Sequence, residues 1–353
     1  MAEESSNNRR RVVIVGGGVS GLAAAHRLAE SQSKENPLEV VLLEASNRLG
    51  GTVRTHRREG FLIEGGPDSF ISEKPEALAL AKRLGLAGRI TGTSEQHRRS
   101  FVVRGGRLRP TPEGFQLLAP SRVLPFLTTD IFTWRGKARM ALDLVLPRRR
   151  GANGRDDESL AAFVRRRFGR EALERMAQPM VGGIYTADPE ALSLRATMPR
   201  FLEMERRDRS LILSMWKAGR RAGEAGRHGR GASGARYSLF LSFDEGTQVL
   251  TDALAARLPA GSVRLNTRVE SLSYARDAGA VGARRWLLKI AGGEEVSADA
   301  VVLALPAHAS ARLVRDVDDG LAEELEAIPY ASTATVNLAF RREDIRHPLD
   351  GFG

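Results

Sequence analysis

Three glycines near the N terminus have the spacing of a loop that binds a phosphate-bridged dinucleotide. Gly16, Gly18 and Gly21 follow the apolar run 12–15 and precede an Ala- and Leu-rich helical pattern. In such a loop the first glycine permits a tight turn, the second lets phosphates approach the backbone, and the third lets helix and strand pack closely. The N–H groups and the dipole of the helix then hold the anion. The candidate residues of this loop are Gly16, Gly17, Gly18, Val19, Ser20 and Gly21.

A second apolar run, residues 40–43, ends at Glu44, which lies 23 residues after Gly21. A carboxylate at the end of that strand would accept hydrogen bonds from a ribose diol and would repel a 2′-phosphate. The order of strand, glycine loop, helix, second strand and acidic residue predicts a βαβ unit that binds a dinucleotide. The alternative is a glycine-rich turn that binds nothing.

The residues after Glu44 narrow the choice of dinucleotide. The pattern Glu44-x-x-x-Arg48-x-Gly50-Gly51 resembles the extended fingerprint of FAD-binding flavoproteins of the amine oxidase class. The paired glycines would allow the backbone to approach the diphosphate closely. The positive charge of Arg48 would attract the diphosphate. The alternative for Arg48 is a surface ion pair. Residues 64–69 resemble the segment that passes near the flavin in the same class. The resemblance implies FAD as cofactor, with further candidate residues Glu44, Ala45, Arg48, Gly50, Gly51, Thr52, Gly66, Pro67, Asp68, Ser69 and Val269.

The composition excludes several kinds of chemistry. The chain has no cysteine, so disulfides, thiolate catalysis and cysteine-ligated metals are excluded. Its six histidines are scattered, and we expect no metal site and no catalytic side chain beyond the flavin. The N-terminal residues lack an apolar signal core, and no apolar run is long enough to span a membrane. We therefore expect a cytoplasmic protein or one bound peripherally to the cytoplasmic face of a membrane.

Positive charge is concentrated in the middle of the chain. The formal net charge is +11, and residues 91–236 contain 29 Lys and Arg against 15 Asp and Glu. Such a region indicates an anionic partner, which could be an acidic substrate or anionic lipid headgroups. Nucleic acid is not expected, because no binding motif is present and aromatic residues make up only 6% of the chain. The alternative is a solvated, arginine-rich surface without a partner.

The patterning predicts an α/β chain whose Rossmann-like FAD-binding domain is discontinuous, with a mainly helical domain inserted into it. The predicted divisions are 1–90 and 237–311 for the two FAD-binding parts, 91–236 for the basic helical region, and 312–353 for the start of a mixed substrate-binding sheet. The further predicted elements are a hairpin around Gly105-Gly106, helices over 159–168 and 171–180, mobile loops at 148–157 and 219–236, a helix after Gly246, a strand over 263–272, and a hairpin of 286–290 with 296–305.

Two downstream elements resemble the protoporphyrinogen oxidase family, the oxygen-dependent flavoenzymes of haem synthesis. Residues 182–193 (GGIYTADPEALS) match the family's element beside the substrate cavity, and residues 242–250 (SFDEGTQVL) match a second family element. The resemblance covers residues 11–353. It implies six-electron oxidation of a porphyrinogen by FAD with O2 as acceptor, giving H2O2, with protoporphyrinogen IX as first choice and coproporphyrinogen III left open. It also implies peripheral membrane contact, a homodimer, and the substrate-binding residues Arg98, Arg99, Gly182 and Gly183.

This chain departs from the family pattern at three places. Ala187 replaces a usual glycine, and Ser100 stands where an arginine usually precedes the aromatic residue, here Phe101. The family also continues beyond the position of Gly353, so we expect a C-terminally incomplete chain. Two alternatives remain open: a different FAD oxidase acting on amines or carotenoids, and a non-catalytic truncated fragment.

Overall fold

The structure, a computed structural model, describes residues 9–33, 35, 37–94, 99–113, 115–116, 119–120, 122–149, 157–185, 187–228, 240–275 and 286–352. Its strands are β1 Arg10–Val15, β2 Leu38–Leu43, β3 Thr55–Arg58, β4 Phe61–Glu64, β5 Phe70–Ile71, β6 Ile90–Gly92, β7 Arg99–Arg104, β8 Arg107–Pro110, β9 Phe115–Gln116, β10 Ala119–Pro120, β11 Phe240–Phe243, β12 Val263–Arg264, β13 Val269–Tyr274, β14 Trp286–Ile290, β15 Glu295–Ala298, β16 Ala300–Leu303 and β17 Gly351–Phe352. Its α-helices are α1 Val19–Glu30, α2 Pro75–Arg83, α3 Val123–Thr128, α4 Trp134–Ala141, α5 Leu160–Phe168, α6 Arg170–Ala172, α7 Gln178–Tyr185, α8 Leu194–Thr197, α9 Pro199–Asp208, α10 Leu211–His228, α11 Gln248–Ala255, α12 Ala307–Val314 and α13 Asp319–Glu326.

The chain divides into two compact units. The first unit consists of residues 1–93 with 237–344, and the second of residues 94–236 with 345–353. Each unit therefore draws on two separate stretches of the sequence, and the larger part of the second unit lies between the two stretches of the first.

A four-stranded parallel sheet lies at the centre of the first unit, in the order β12-β2-β1-β16. In β1, Val12 pairs with Val40 of β2 on one side and with Ala300 of β16 on the other. The adjacent residues Val13 and Ile14 point to opposite faces and are both fully buried. Covered faces on both sides explain why this strand is a continuous apolar run without polar alternation.

Different layers cover the two faces of this sheet. On one face, Val13 packs with the antiparallel strands β13-β14-β15 and with helices α12 and α13. On the other face, Ile14 packs with Leu22 of α1 and with residues of α2 and α11. The sheet is thereby held in the three-layer arrangement that leaves its carboxyl edge open to a ligand.

Two predicted strands are each divided in the structure. The predicted strand over 263–272 is wrong, because Asn266 takes a left-handed backbone conformation (φ 52°) that separates β12 from β13. The predicted strand over 296–305 becomes antiparallel β15 and parallel β16, with a bend at Asp299 between them. The carboxylate of Asp299 accepts a hydrogen bond from the backbone N–H of Arg11 (2.6 Å), which fixes this bend to β1.

The region after residue 311 differs from the predicted start of a sheet. Helices α12 and α13 occupy 307–314 and 319–326, because Ala311, Leu313 and Ala322 bury against the core beside β1. Among the described residues of this region, only β17 is a strand, and it pairs in parallel with β7 of the second unit.

The second unit is mainly helical and has its own apolar core. Phe163, Phe168 and Phe201 are almost completely buried in that core. Helix α5 begins after Ser159, whose hydroxyl accepts the N–H of Ala162 (3.1 Å), as a capping serine does. The predicted helix over 159–168 and the hairpin around Gly105-Gly106 are both confirmed.

The predicted loop over 219–236 is wrong as far as His228, because α10 continues to that residue. Leu211 and Met215 bury the first turns of α10, and the alanines and arginines that follow are good helix formers. Residues 229–236, and residues 150–156 of the other predicted loop, lie outside the described residues.

A fully buried ion pair joins the helices of the second unit. The side chains of Arg167 and Asp143 are both inaccessible to solvent, and Arg167 Nε donates to Asp143 Oδ1 (2.6 Å). The other oxygen of Asp143 accepts from Ser210 Oγ (2.6 Å) and from the N–H of Ile212 (3.0 Å), at the start of α10. Asp143 therefore neutralises a buried cation and also satisfies the N terminus of a long helix.

Glu205 extends this buried network. Burial disfavours its charged form, but hydrogen bonds from Arg166 and the charges of Arg166 and Arg167 outweigh burial, so the pKa of Glu205 lies below its usual value. A carboxyl group of this kind stabilises the fold above its unfolded-state pKa. That contribution is lost as the pH falls through the lower folded-state value.

We expect Asp143→Asn to lower the free energy of unfolding by about 3 kcal/mol, because it leaves the buried Arg167 without its main counter-charge. Urea unfolding of the second unit, followed by the fluorescence of Trp134 and Trp216, measures the change.

The matched control is Glu174→Gln, which removes a carboxylate from the exposed pair with Arg170. We expect this change to cost about 0.5 kcal/mol or less. Equal losses for the two variants would contradict a structural role for the buried pair.

Candidate cofactor-binding site

The glycine loop after β1 leaves one open position for a ligand. A Cβ added to Gly16 would lie 2.6 Å from the carbonyl oxygen of Ala304, and one added to Gly21 would lie 1.8 Å from the oxygen of Gly16. A Cβ added to Gly18 would meet only the Cα of Gly51, at 4.0 Å. Gly16 and Gly21 must therefore be glycines because the surrounding protein leaves no space for a Cβ, whereas Gly18 faces space that a diphosphate can enter.

Helix α1 begins directly after this open position. Gly18 precedes the helix without a side-chain cap, and its carbonyl accepts the N–H of Leu22 (2.9 Å). The first N–H groups of a helix have no partner within the helix, and here Val19 and Ser20 supply them at an exposed surface. These groups and the helix dipole form the anion-binding end that the spacing predicts.

Glu44 lies at the end of β2, beside the glycine loop. One carboxylate oxygen accepts the N–H of Gly17 (2.6 Å), and the other accepts the N–H of Ser46 (2.8 Å). The carboxylate is half-buried and is held at the carboxyl edge of the sheet, and the exposed Ala45 follows it. Its remaining lone pairs can accept hydrogen bonds from a ribose diol.

Within the protein, Arg48 bonds to backbone carbonyl groups of the residues that follow it. Its guanidinium donates to the carbonyls of Leu49 (3.1 Å), Gly51 (2.5 Å) and Val53 (3.4 Å). These bonds curl the loop around Gly50, whose N–H donates to the carbonyl of Gly17 (2.8 Å). Arg48 thus fixes a second glycine loop against the first one, and its predicted contact with the diphosphate stays a prediction.

The segment 64–69 and the element 242–250, which lie far apart in the sequence, are brought together. A Cβ on Gly66 would lie 1.9 Å from the carbonyl oxygen of Thr52, so this segment runs directly against the second glycine loop. Thr247 donates its N–H to Glu64 (2.8 Å), and Ser242 Oγ donates to the carbonyl of Asp68 (2.7 Å). Both elements that carried the family resemblance in the first unit therefore meet at one place.

The other predicted residues of the first unit lie on the same edge. Ser69 donates its hydroxyl to the carboxylate of Asp68 (2.8 Å). Val269 begins β13 and is half-buried against the core. Two residues earlier, the N–H of Thr267 donates to the carbonyl of Glu44 (2.8 Å), which brings the start of β13 close to the end of β2.

The predicted substrate residues belong to the second unit. Arg98 lies outside the described residues, and Arg99 begins β7, where its backbone pairs with Gly351. Gly182 and Gly183 lie in α7, which a π-helical turn, Leu173–Ala177, joins to α6. A Cβ added to Gly182 would have no heavy atom within 4 Å, so the backbone there is open to a neighbour.

Sequence reasoning missed three residues of this site. Thr55 and Thr247 hold the carboxylate of Glu64, for which the sequence suggests no role. Thr247 lies inside a recognised element, which is the one signal that points to it. Thr55 has no signal of its own, because it lies in no recognised motif and its partner Gln248 is almost two hundred positions away along the chain.

The residues present fit the adenine and diphosphate half of FAD. Gly18 offers an open cradle, the start of α1 offers N–H groups, and Glu44 offers an acceptor at the end of the neighbouring strand.

Comparisons with known proteins agree with this geometry. Residues 19–352 match the family described as flavin-containing amine oxidoreductase. The coproporphyrinogen III oxidase of Propionibacterium freudenreichii is 38% identical over 345 residues, covering 91% of this chain and 62% of the relative. That of Bacillus subtilis is 34% identical over 342 residues (95% and 67%). The mitochondrial protoporphyrinogen oxidase of Nicotiana tabacum is 28% identical over 348 residues (95% and 66%). The chain thus spans about two thirds of the length of these curated relatives.

Solved structures resemble the fold. A crystal structure from Exiguobacterium sp. 255-15, provisionally described as a protoporphyrinogen oxidase, has a TM-score of 0.72 and 30% identity, covering 90% of this chain and 63% of that one. Cyclohexylamine oxidase from Brevibacterium oxydans has a TM-score of 0.54 at 18% identity, with 90% and 63% covered, and shows the fold alone.

These findings confirm the predicted α/β fold class, the predicted cofactor FAD, and the resemblance to porphyrinogen oxidases. A sequence match that begins in α1 and continues to β17 includes both units and both family elements. The chain therefore belongs to the flavin-containing amine oxidoreductase family.

Proposed function

We propose that this chain is the main part of an enzyme that oxidises a porphyrinogen to the porphyrin, using FAD, with O2 as the electron acceptor and H2O2 as product. The observation that carries the proposal is that two findings coincide. The chain has a glycine loop of the FAD-binding type, and relatives named as porphyrinogen oxidases are 28–38% identical to it over 91–95% of its length. Another FAD oxidase, acting on amines or carotenoids, is the weaker candidate, because the amine oxidase structures resemble the chain at 18–20% identity.

The residues of the first unit have binding and positioning tasks in this reaction. The backbone at Gly18 and the first N–H groups of α1 bind the diphosphate, and Glu44 accepts hydrogen bonds from the ribose. When bound, FAD supplies the redox chemistry by accepting electrons from the substrate. The resemblance predicts that the segment 64–69 passes near the flavin ring, and residues of 242–250 form hydrogen bonds with this segment. No acid or base side chain is required of the protein for this step.

We propose coproporphyrinogen III as the substrate in preference to protoporphyrinogen IX. Three coproporphyrinogen III oxidases are 31–38% identical to this chain, whereas five protoporphyrinogen oxidases are 28–31% identical. Coproporphyrinogen also carries more carboxylates, which suits a region with 29 Lys and Arg against 15 Asp and Glu. Arg98, Arg99, Gly182 and Gly183 stay predictions for the substrate site, as does the homodimer.

A specific surface of the second unit supports the predicted membrane contact. We further propose that the α3–α4 patch, formed by Leu124, Leu127, Trp134 and Arg135, touches anionic lipid. Leu124 is 73% and Trp134 71% exposed. Lys137 Nζ donates to the carbonyl of Leu127 (2.6 Å) and lies 4.4 Å from the centre of the Trp134 ring, so α3 and α4 form one surface. No helix among the described residues has the length and apolarity to cross a bilayer, so contact would be peripheral.

We expect the FAD-loaded chain to form porphyrin aerobically from coproporphyrinogen III faster than from protoporphyrinogen IX. Porphyrin fluorescence and H2O2 release, measured with both substrates at several concentrations, give the two kcat/KM values. A flavin-loaded chain that turns over neither substrate would contradict the proposed activity, and a higher value for protoporphyrinogen IX would contradict the substrate choice.

We expect Gly18→Val to abolish FAD binding without disrupting the fold. The backbone of Gly18 is extended (φ −70°, ψ 179°), which any residue can adopt, and the protein leaves room for a Cβ there. The valine side chain would instead fill the space through which the phosphates approach. Flavin absorbance after reconstitution measures binding, and circular dichroism measures folding.

Gly21→Ala is the contrasting variant. Its Cβ would lie 1.8 Å from a backbone oxygen, so we expect a misfolded protein rather than a folded one without flavin. Normal FAD occupancy in Gly18→Val would contradict the proposed role of the glycine loop in FAD binding.

We expect the wild-type chain to sediment with vesicles rich in phosphatidylglycerol and not with pure phosphatidylcholine, and to be released by high salt. Trp134→Ser and Leu124→Ser should each weaken this binding severalfold, because they remove apolar side chains that would enter the interface. The control is Leu62→Ser, a 45% exposed leucine of the first unit. Equal binding to both kinds of vesicle, or an equal loss for the control, would contradict the proposed surface.

A further inference from the structure

The carboxylate of Glu64 occupies an unusual position for an acidic side chain. It ends β4, is half-buried, and lies at the N terminus of α11. Its two oxygens accept from Thr55 Oγ1 (2.8 Å), from the N–H of Thr247 (2.8 Å) and from Thr247 Oγ1 (3.0 Å). Among the described residues, no Lys, Arg or His forms an ion pair with it. The negative charge is therefore stabilised by neutral donors and by the dipole of α11.

Glu64 is also the point at which two chain segments are joined. The hydroxyl of Thr247 lies 2.9 Å from the carbonyl oxygen of Pro67 as well as close to Glu64. Beside it, Thr55 and Gln248 exchange hydrogen bonds, from Thr55 N–H to Gln248 Oε1 (3.0 Å) and from Gln248 N–H to Thr55 Oγ1 (3.2 Å). The carboxylate takes part in none of these bonds, but it accepts from both Thr55 and Thr247, so we expect its removal to loosen both segments together.

The backbone around Glu64 leaves no space for a different arrangement. Gly246 has φ +94°, and a Cβ there would lie 2.4 Å from Thr55 Cγ2 and 2.7 Å from Glu64 Oε1. The turn before α11 is thus shaped to bring the N–H of Thr247 onto the carboxylate. On the other side, Gly66 lies against the carbonyl of Thr52 in the second glycine loop.

We propose that Glu64 is a positioning residue for FAD, because it fixes the backbone of residues 66–69 against Thr247. This inference rests on the proposed placement of the flavin beside that segment. Glu64 itself need not touch the cofactor; it acts through Thr247 and Pro67 on the backbone that does. Without the carboxylate, residues 66–69 are no longer fixed before FAD binds. Ordering them on binding then costs free energy, so the affinity for FAD falls.

The test compares Glu64→Ala and Glu64→Gln with the control variants Glu59→Ala and Glu59→Gln. Glu59 belongs to the same hairpin, is exposed, and among its described contacts pairs only with the neighbouring Arg58. Flavin fluorescence titration gives the dissociation constant for FAD. We expect Glu64→Ala to raise the FAD dissociation constant about tenfold or more and to broaden the flavin absorption bands. Glu64→Gln keeps one acceptor oxygen and should be intermediate, and both Glu59 variants should match the wild type.

A second measurement is independent of FAD. Hydrogen exchange of the apo protein should show faster exchange at residues 65–69 and 247–249 in Glu64→Ala, with the parallel sheet unchanged. If Glu64→Ala lowers the melting temperature but leaves the FAD dissociation constant and the flavin spectrum unchanged, Glu64 is merely structural and the proposal is overturned. Unchanged exchange at both segments overturns it as well. If the wild-type protein binds no FAD, the proposed cofactor site itself is contradicted. If the wild type binds FAD and Glu64→Ala binds it equally well, only the role of Glu64 is contradicted.

Discussion

The burial of β1 on both faces is the constraint on which the rest of the first unit depends. A parallel strand between two others must be apolar where both of its faces are covered, here over residues 12–15, and its chain must leave the sheet at the carboxyl edge. Helix α1 then has to return along one face, which forces a sharp turn whose backbone approaches Ala304. The same turn puts the N terminus of α1 and the carboxylate of Glu44 at one edge. The ligand site is thus a consequence of how the sheet is packed.

The site nevertheless depends on contacts outside the βαβ unit. The second glycine loop is shaped by Arg48, and the segment at Gly66 lies against it. Glu64 then connects that segment to the turn before α11, although the two are separated by 183 positions in the sequence. Binding of the two halves of a long cofactor is therefore divided between a local motif and a tertiary network. A change in the network can disturb one half and leave the other intact.

Sequence reasoning succeeded where the determinants are local. The apolar run of β1, the glycine spacing and Glu44 lie within one βαβ unit, and each has a chemical reason that can be read without the fold. It failed at Asn266, where a single left-handed residue divides the expected strand, since asparagine adopts this conformation only in some contexts. It did not identify the bonds of Arg48 to backbone carbonyls or the contact of Thr55 with a distant turn, because neither has a characteristic pattern in the sequence.

The pairing of β1 with β16 has a consequence for how the chain acquires its structure. Val12 and Ala300 are neighbours in the finished sheet, yet 288 positions of the sequence separate them during synthesis on the ribosome. One edge of β1 stays open while the entire inserted unit is made, and contacts between such distant residues form slowly because a long loop has to close. An exposed apolar strand edge attracts other strands during that interval. The nascent N-terminal strand is therefore open to pairing with other chains until β16 is made, even though both of its faces are covered in the native first unit.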